Sequence, residues 1–391
     1  MSTKYDFLCK RPKNVGKGEY HHNKNIVRAG EKIFKKLEKY DEVVCCAEMQ
    51  SGKTDVMKRL IYVIGNYGEK LKKMGIDIVE YNVYVVLCTS SINLKKQLQA
   101  KLPEIHNKVY HLNNIQTIVK NTWENSYLLT TMADSSLIIF DECHCDVEHK
   151  KLIDKYRSLL EYTAKKNNTF FHKIGFSASP YEQIVAKYPK VIMKPAKEYF
   201  GICQMFDSSN TDRPMIFQAK KLYKLRECKA LLKEIDIGNF YYIFRLPGIK
   251  NLEHDMMLNL EKEFSSVSKF DSYIYDMSYR GNINDLLSER PKKPTIIYLK
   301  DKLRMGEYLD TKYVHIAHDN PKSNHTHTTA QSLLGRCCGY NKKKHHTIIY
   351  CDIEKAKQHY EWVKNKYSIE YVPRDAKYVK VSKETRSNCI Y

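Results

Sequence analysis

The chain has 391 residues, 42% of them apolar, and a formal net charge of +21 at neutral pH. This length and apolar share suit two domains with full cores, and they exclude a disordered chain or a small disulfide-stapled scaffold. No apolar run of about 18 residues occurs, which excludes a helical membrane span, and the N-terminal MSTKYDFLCKRPK lacks the apolar stretch of a signal peptide.

The excess of Lys and Arg suits a polyanionic partner, because neutralising phosphates releases counterions. The 30 tyrosines include rings on which bases can stack, although an A/T-rich genome would enrich both Lys and Tyr without any function. Twelve cysteines occur without a C-x-x-C pair, which points to reduced thiols and a cytoplasmic or nuclear setting.

In chain order, residues 1–40 form a basic segment with a helix expected over Ile26–Lys39. Strand-like runs follow at Val43–Cys46, Asn82–Cys88, Ser136–Phe140, Phe170–Phe176 and Lys190–Met193. Helical patterns lie between them at Thr54–Ile64, Asn93–Leu102 and Lys150–Lys166. Such alternation means βαβ units and parallel sheets, an α/β fold. The polar stretch Lys194–Pro214 breaks the pattern, so a first domain is expected over 41–200 and a second over 201–367. The second repeats the scheme, with strands at Tyr241–Arg245, Ser272–Tyr275, Thr295–Leu299, Tyr313–Ala317 and Thr347–Cys351. Its helices are expected at Lys220–Lys233, Asn251–Phe264, Thr329–Gly335 and Ile353–Tyr367, followed by a basic tail over 368–391.

Two segments carry chemistry. Ala47–Thr54, AEMQSGKT, sits between a strand and a helix and nearly matches G-x-x-x-x-G-K-[ST], with Ala47 at the first position. A tight loop opening a helix aims backbone N–H groups and the positive helix end at phosphates. Gln50, Ser51, Gly52, Lys53 and Thr54 are therefore the candidate triphosphate-binding residues. Lys53 reaches the terminal phosphates and Thr54 offers a hydroxyl to Mg²⁺. The second segment is Leu137–His144, LIIFDECH. Its apolar run reads as a buried parallel strand, which puts Asp141 and Glu142 at the strand end where ligands of open α/β sheets bind. Asp141 is a candidate Mg²⁺ ligand and Glu142 a candidate general base for an attacking water.

Asp141-Glu142-Cys143-His144 resembles the D-E-x-H box of superfamily 2 helicases and translocases. Gly175–Pro180, GFSASP, is similar to that family's third motif, and Val85–Gln97 to its backbone-gripping strand and turn. Leu128–Thr131 stands where the family has a strand-end Thr. Arg304–Glu307 resembles the fifth motif, with Met305 interposed, and Gln331–Tyr340 the sixth, with Gly339 where a second arginine is usual.

The resemblance runs over about residues 40–350 and implies two tandem RecA-like domains that bind ATP and Mg²⁺ and act on DNA or RNA. It implies catalytic roles for Lys53, Glu142 and Arg336, and coupling roles for His144, Ser177, Ser179 and Gln331. It makes Thr89, Ser90, Lys95 and Thr130 the nucleic-acid contacts, and Asn25 and Arg28 the residues at the adenine-reading position. Three readings stay open: a helicase or translocase, a binding subunit with a degenerate ATP site, and a nucleic-acid-stimulated ATPase of a replication or transcription complex. Zinc at His315, His318, His325, His327, Cys337 and Cys338 matches no finger spacing.

Overall fold

The computed structural model describes residues 5–10, 23–142, 147–207, 215–276, 278–279, 281–300, 308–320, 325–340 and 347–376. His144 and the Arg304–Glu307 segment lie outside them. The chain divides into two compact units, the first ending at Lys197 and the second beginning at Glu198.

In chain order, the first unit comprises α1 (Lys24–Leu37), β1 (Glu42–Cys46), α2 (Lys53–Lys72), β2 (Val83–Leu87), α3 (Ile92–Lys101), β3 (Val109–His111) and α4 (Leu112–Lys120). It continues with α5 (Ser126–Met132), β4 (Ser136–Asp141), α6 (Val147–Asn167), β5 (Phe171–Ser177), α7 (Tyr181–Val185) and β6 (Lys190–Ile192). Its six strands form one parallel sheet in the order β3-β2-β4-β5-β1-β6. The strands read as unbroken apolar runs because both faces are covered. Alternation shows in which side each residue feeds. Val83, Val85, Leu87, Leu137 and Ile139 pack with α1 and α2, whereas Tyr84, Val86, Ile138 and Phe140 pack with α4, α5 and α6.

The second unit comprises β7 (Tyr199–Phe200), α8 (Ile202–Phe206), β8 (Ile216–Gln218), α9 (Leu225–Lys233), β9 (Tyr241–Arg245), α10 (Lys250–Ser265), β10 (Asp271–Tyr275) and α11 (Ile283–Leu287). Then come β11 (Thr295–Leu299), β12 (Val314–His318), α12 (Thr326–Gln331), α13 (Leu333–Arg336), β13 (Gly339–Tyr340), β14 (Ile348–Cys351) and α14 (Ile353–Lys364). Its parallel sheet has the order β10-β11-β9-β12-β14-β8, and β7 pairs antiparallel with β13. The two parallel sheets, each flanked by helices, form the expected α/β architecture.

Some expectations change. Leu128–Thr131 lies inside α5 rather than at a strand end, because Leu129 and Met132 supply a buried helical face against the sheet. The true strand end in that region is His111, on a strand too short to show a period. The helix expected over Thr329–Gly335 is broken at Ser332 (ψ −142°), which separates α12 from α13. The helix expected from Lys220 starts at Leu225.

Candidate functional site

The phosphate loop leaves β1 at its C-terminal end and opens α2. Ala47 is fully buried, and its N–H donates to the Ser177 carbonyl at 3.0 Å. Its backbone is outside the left-handed region occupied by Gln50 (φ 54°) and Gly52 (φ 109°), so a small residue suffices there and glycine is not required. At Gly52 glycine is required. A Cβ would lie 3.2 Å from Ile26 Cδ1 and 3.3 Å from Met193 Cε, in a left-handed backbone. Ser51 closes the loop, its hydroxyl donating to the Glu48 carbonyl at 2.7 Å. Thr54, in the first turn of α2, is half-buried.

Next to β1 run β5 and then β4, whose end carries Asp141 and Glu142. Glu142 holds a left-handed backbone (φ 55°), a costly conformation for a non-glycine residue and one that concentrates at functional sites. Its carboxylate forms a hydrogen-bonded ion pair with Lys53. Asp141 Oδ1 accepts the Glu142 N–H at 3.1 Å, and its backbone carbonyl accepts Cys88 N–H at 3.0 Å, tying β4 to the end of β2. Burial pushes the Asp141 carboxyl up to about 6; Lys53 pulls it down and Glu142 adds to the rise. Ser177 ends β5 beside Cys46, and its hydroxyl accepts the Ser179 N–H at 2.9 Å. The structure thus gathers Gln50–Thr54, Asp141, Glu142, Ser177 and Ser179 at one end of one sheet.

Asn25 and Arg28 sit on α1. The Asn25 amide donates to the Pro195 carbonyl at 2.8 Å and Arg28 is exposed, while Ile26 between them is the residue that faces Gly52. Thr89, Ser90 and Lys95 follow β2 at the same sheet end. Thr89 Oγ1 accepts Ser91 N–H at 3.3 Å, Ser91 Oγ caps α3 by accepting Leu94 N–H at 3.2 Å, and Lys95 Nζ donates to Asn114 Oδ1 at 2.9 Å. Asn114 also accepts the His111 N–H at 3.2 Å. His111 and Asn114 escaped the sequence reading because a three-residue strand has no legible pattern. Thr130 stands apart from this group, exposed on α5, which leads into the opposite, N-terminal end of the sheet.

In the second unit, Arg336 is buried, and its Nη2 donates to the Gln331 carbonyl at 2.9 Å. Gly339 occupies a left-handed backbone (φ 136°), so the position of the usual second arginine is one that favours glycine. A buried network that the sequence did not announce holds this segment. Arg245, ending β9, donates through Nε to Asp319 Oδ1 at 2.8 Å, and Asp319 Oδ2 accepts the Leu333 N–H at 3.1 Å. Burial alone would raise the Asp319 carboxyl, but Arg245 and the N–H donors hold it below its ordinary value. His318 is buried beside it, its Nε2 accepting the Lys220 N–H at 3.1 Å. Among the described residues, no group of three or more His, Cys, Asp or Glu could hold a metal ion.

Solved structures share this fold. The DEAD-box helicase Mss116, bound to ssRNA and UDP-BeF, superposes with a TM-score of 0.51 at 14% identity over 96% of this chain and 83% of its own. The E. coli DExH-box NTPase HrpB superposes with a TM-score of 0.50 at 11% identity over 85% of this chain, which spans only 42% of HrpB. The chain therefore has the tandem RecA-like fold of these proteins. It is also 57% identical over 390 residues to the uncharacterized protein L594 of Acanthamoeba polyphaga mimivirus, covering 99% of this chain and 100% of that protein. The chain belongs to the family of that mimivirus protein, and no model of a known protein family matches it. No helix among the described residues is long and apolar enough to cross a membrane.

Proposed function

We propose that this chain is an ATP-dependent helicase or translocase of the superfamily 2 type, using ATP hydrolysis to move on DNA or RNA. The observation that carries this reading is the Lys53–Glu142 ion pair. It joins the phosphate loop to the acidic strand end across β5, so the phosphate-binding cation and the candidate base share one small volume. Lys53 and the N–H groups of Gln50–Thr54 bind the triphosphate, and Glu142 takes a proton from the attacking water. Arg336 supplies positive charge to the transferring phosphoryl group. Thr54 and Asp141 present hard oxygen donors suited to Mg²⁺, and the buried Asp141 carboxyl would gain from a cation that restores its ionised form. Mg²⁺ bound there would offset phosphate charge. Thr89, Ser90 and Lys95 grip the strand backbone at the same sheet end, while Ser177, Ser179, His144 and Gln331 couple nucleotide to strand.

Gly339, together with the inward-facing Arg336, favours a second reading: a nucleic-acid-binding subunit with a degenerate ATP site. ATPase rates with single-stranded DNA, duplex DNA and RNA separate the two. The expected result is turnover stimulated by one of these polymers and reduced at least about 100-fold in Glu142→Gln, the scale on which removal of general-base catalysis is felt. Parent-level turnover in Glu142→Gln would exclude this site assignment, and no turnover in the parent would favour the degenerate subunit.

A further inference from the structure

We propose that Trp123 and Tyr127 form a stacking platform for single-stranded nucleic acid at the N-terminal end of the first sheet, opposite the phosphate loop. The inference rests on the nucleic-acid-binding part of the reading above and on none of its ATP chemistry. Trp123 is 90% exposed and Tyr127 84%, the two highest values among the described large apolar side chains. They lie four residues apart in the chain, Trp123 in the turn between α4 and α5 and Tyr127 in the first turn of α5. α5 runs directly into the start of β4, which fixes the pair at the sheet end away from the phosphate loop.

Their presentation is ordered. Ser126 N–H donates to the Trp123 carbonyl at 3.2 Å, Asn125 N–H to the Asn121 carbonyl at 3.1 Å, and the Asn121 amide to Glu124 Oε2 at 3.0 Å. Leu129 and Met132 bury the opposite face of α5, so Tyr127 points away from the core, and Trp123, in the preceding turn, is almost fully exposed. Two large rings are thus left almost fully in water among the described residues.

The surroundings favour a polyanion. Lys120 closes α4, and Lys165 and Lys166 lie in the last turn of α6. Asn167, which follows them, reaches the Thr130 hydroxyl at 3.5 Å, one turn beyond Tyr127. Glu124 and Asp134 are the acids of this stretch. Lysines at helix ends also complement the helix dipole and alone would mark nothing. Beside two free aromatic faces they complete the combination used for single strands, rings for bases and cations for the backbone. Thr130, expected among the strand-end contacts, belongs to this second surface instead.

The chain's two tryptophans provide the test, since Trp362 is fully buried and Trp123 is almost fully exposed. Oligo(dT) and oligo(rU) are titrated into the full chain while tryptophan emission and oligonucleotide anisotropy are followed. The platform predicts quenching of the solvent-exposed emission, absent in Trp123→Phe, and roughly tenfold weaker binding for each of Trp123→Ala and Tyr127→Ala. Thermal unfolding should be unchanged in all three, because both side chains are exposed. Quenching by one oligonucleotide alone assigns the platform to that sugar. Binding without quenching and with parental affinity in the alanine variants overturns the platform while leaving the strand grip intact. Loss of self-association in those variants with unchanged oligonucleotide affinity makes the surface a protein interface and also overturns it. Absence of any single-strand binding overturns both this inference and the binding part of the proposed function.

Discussion

At the scale of single residues, Asp141 shows how a site of this kind trades stability for chemistry. Its carboxyl is buried at the end of β4, with a pKa of about 6 against an ordinary 3.8. The unfolded chain therefore releases this proton first as pH rises. Stability falls between those two values and stays lower above them, a cost of about 3 kcal/mol for a shift of this size. Asp141→Asn keeps the oxygen that accepts the Glu142 N–H and removes the charge. The variant should be more stable than the parent at pH 7.5, by up to about 3 kcal/mol in urea unfolding, with the gain shrinking as pH is lowered from about 6 to about 4. It should also lose ATP hydrolysis. A variant no more stable at pH 7.5 would show that Asp141 carries no buried-charge cost. Ala47 and Gly339 teach a related lesson from opposite sides. Each departs from a pattern, and the backbone says why: Ala47 needs no left-handed φ and tolerates a Cβ, whereas Gly339 sits where a larger residue would be strained.

At the scale of elements, legibility followed length. β9 and β11 lie where their β-branched and aromatic runs place them, end to end, because five consecutive buried positions closed by Gly238-Asn239 and Pro247-Gly248 for β9, and by Pro294 and Lys300 for β11, leave one solution. β3, β7 and β13 have two or three residues each and carry no periodicity to read. α2 continues past its expected end through Gly65 and Gly68 to Lys72, because packing against the core outweighs glycine's poor helix propensity, although its backbone kinks at Tyr67. The break between α12 and α13 is a tertiary effect. Asp319, just beyond the end of β12, captures the Leu333 N–H that would otherwise continue the helix. Because Asp319 is also paired with Arg245, the pair is a buried charge couple that sets where α13, and hence Arg336, begins. Asp319→Ala should cost about 3–5 kcal/mol in thermal or urea unfolding, since it leaves a buried guanidinium without its counter-charge. The double substitution Arg245→Met, Asp319→Leu should recover most of that stability, as apolar replacement of a buried pair often does. ATPase activity should stay low in the double variant, because the acceptor that positions α13 is gone. Recovery of both properties together would confine the pair to a stabilising role.

At the scale of the whole molecule, the proposed chemistry draws on residues of both compact units, and the division makes a kinetic prediction. Lys53, Thr54, Asp141 and Glu142 belong to the first unit and Arg336 to the second. Nucleotide binding is then mainly a property of the first unit, while charge stabilisation during phosphoryl transfer draws on the second. On the proposed reading Lys53 contacts phosphate in the bound state as well as in the transition state, so both ATP affinity and turnover should fall in Lys53→Ala. Arg336→Ala should leave ATP affinity within a few-fold of the parent and lower kcat by about a thousandfold, the smaller end of what an arginine finger contributes. Fluorescent-nucleotide titration and steady-state turnover in the presence of the stimulating polymer measure the two quantities on one preparation. Equal losses of affinity in both variants would mean that Arg336 binds ground-state nucleotide rather than the transition state. Parental kcat in Arg336→Ala, with Lys53→Ala inactive, would mean that the charge comes from another residue of the chain. Gly339 stands where a second arginine is usual, so on the proposed reading the whole rate effect should fall on Arg336: a large loss of kcat with near-parental ATP affinity is the expected result.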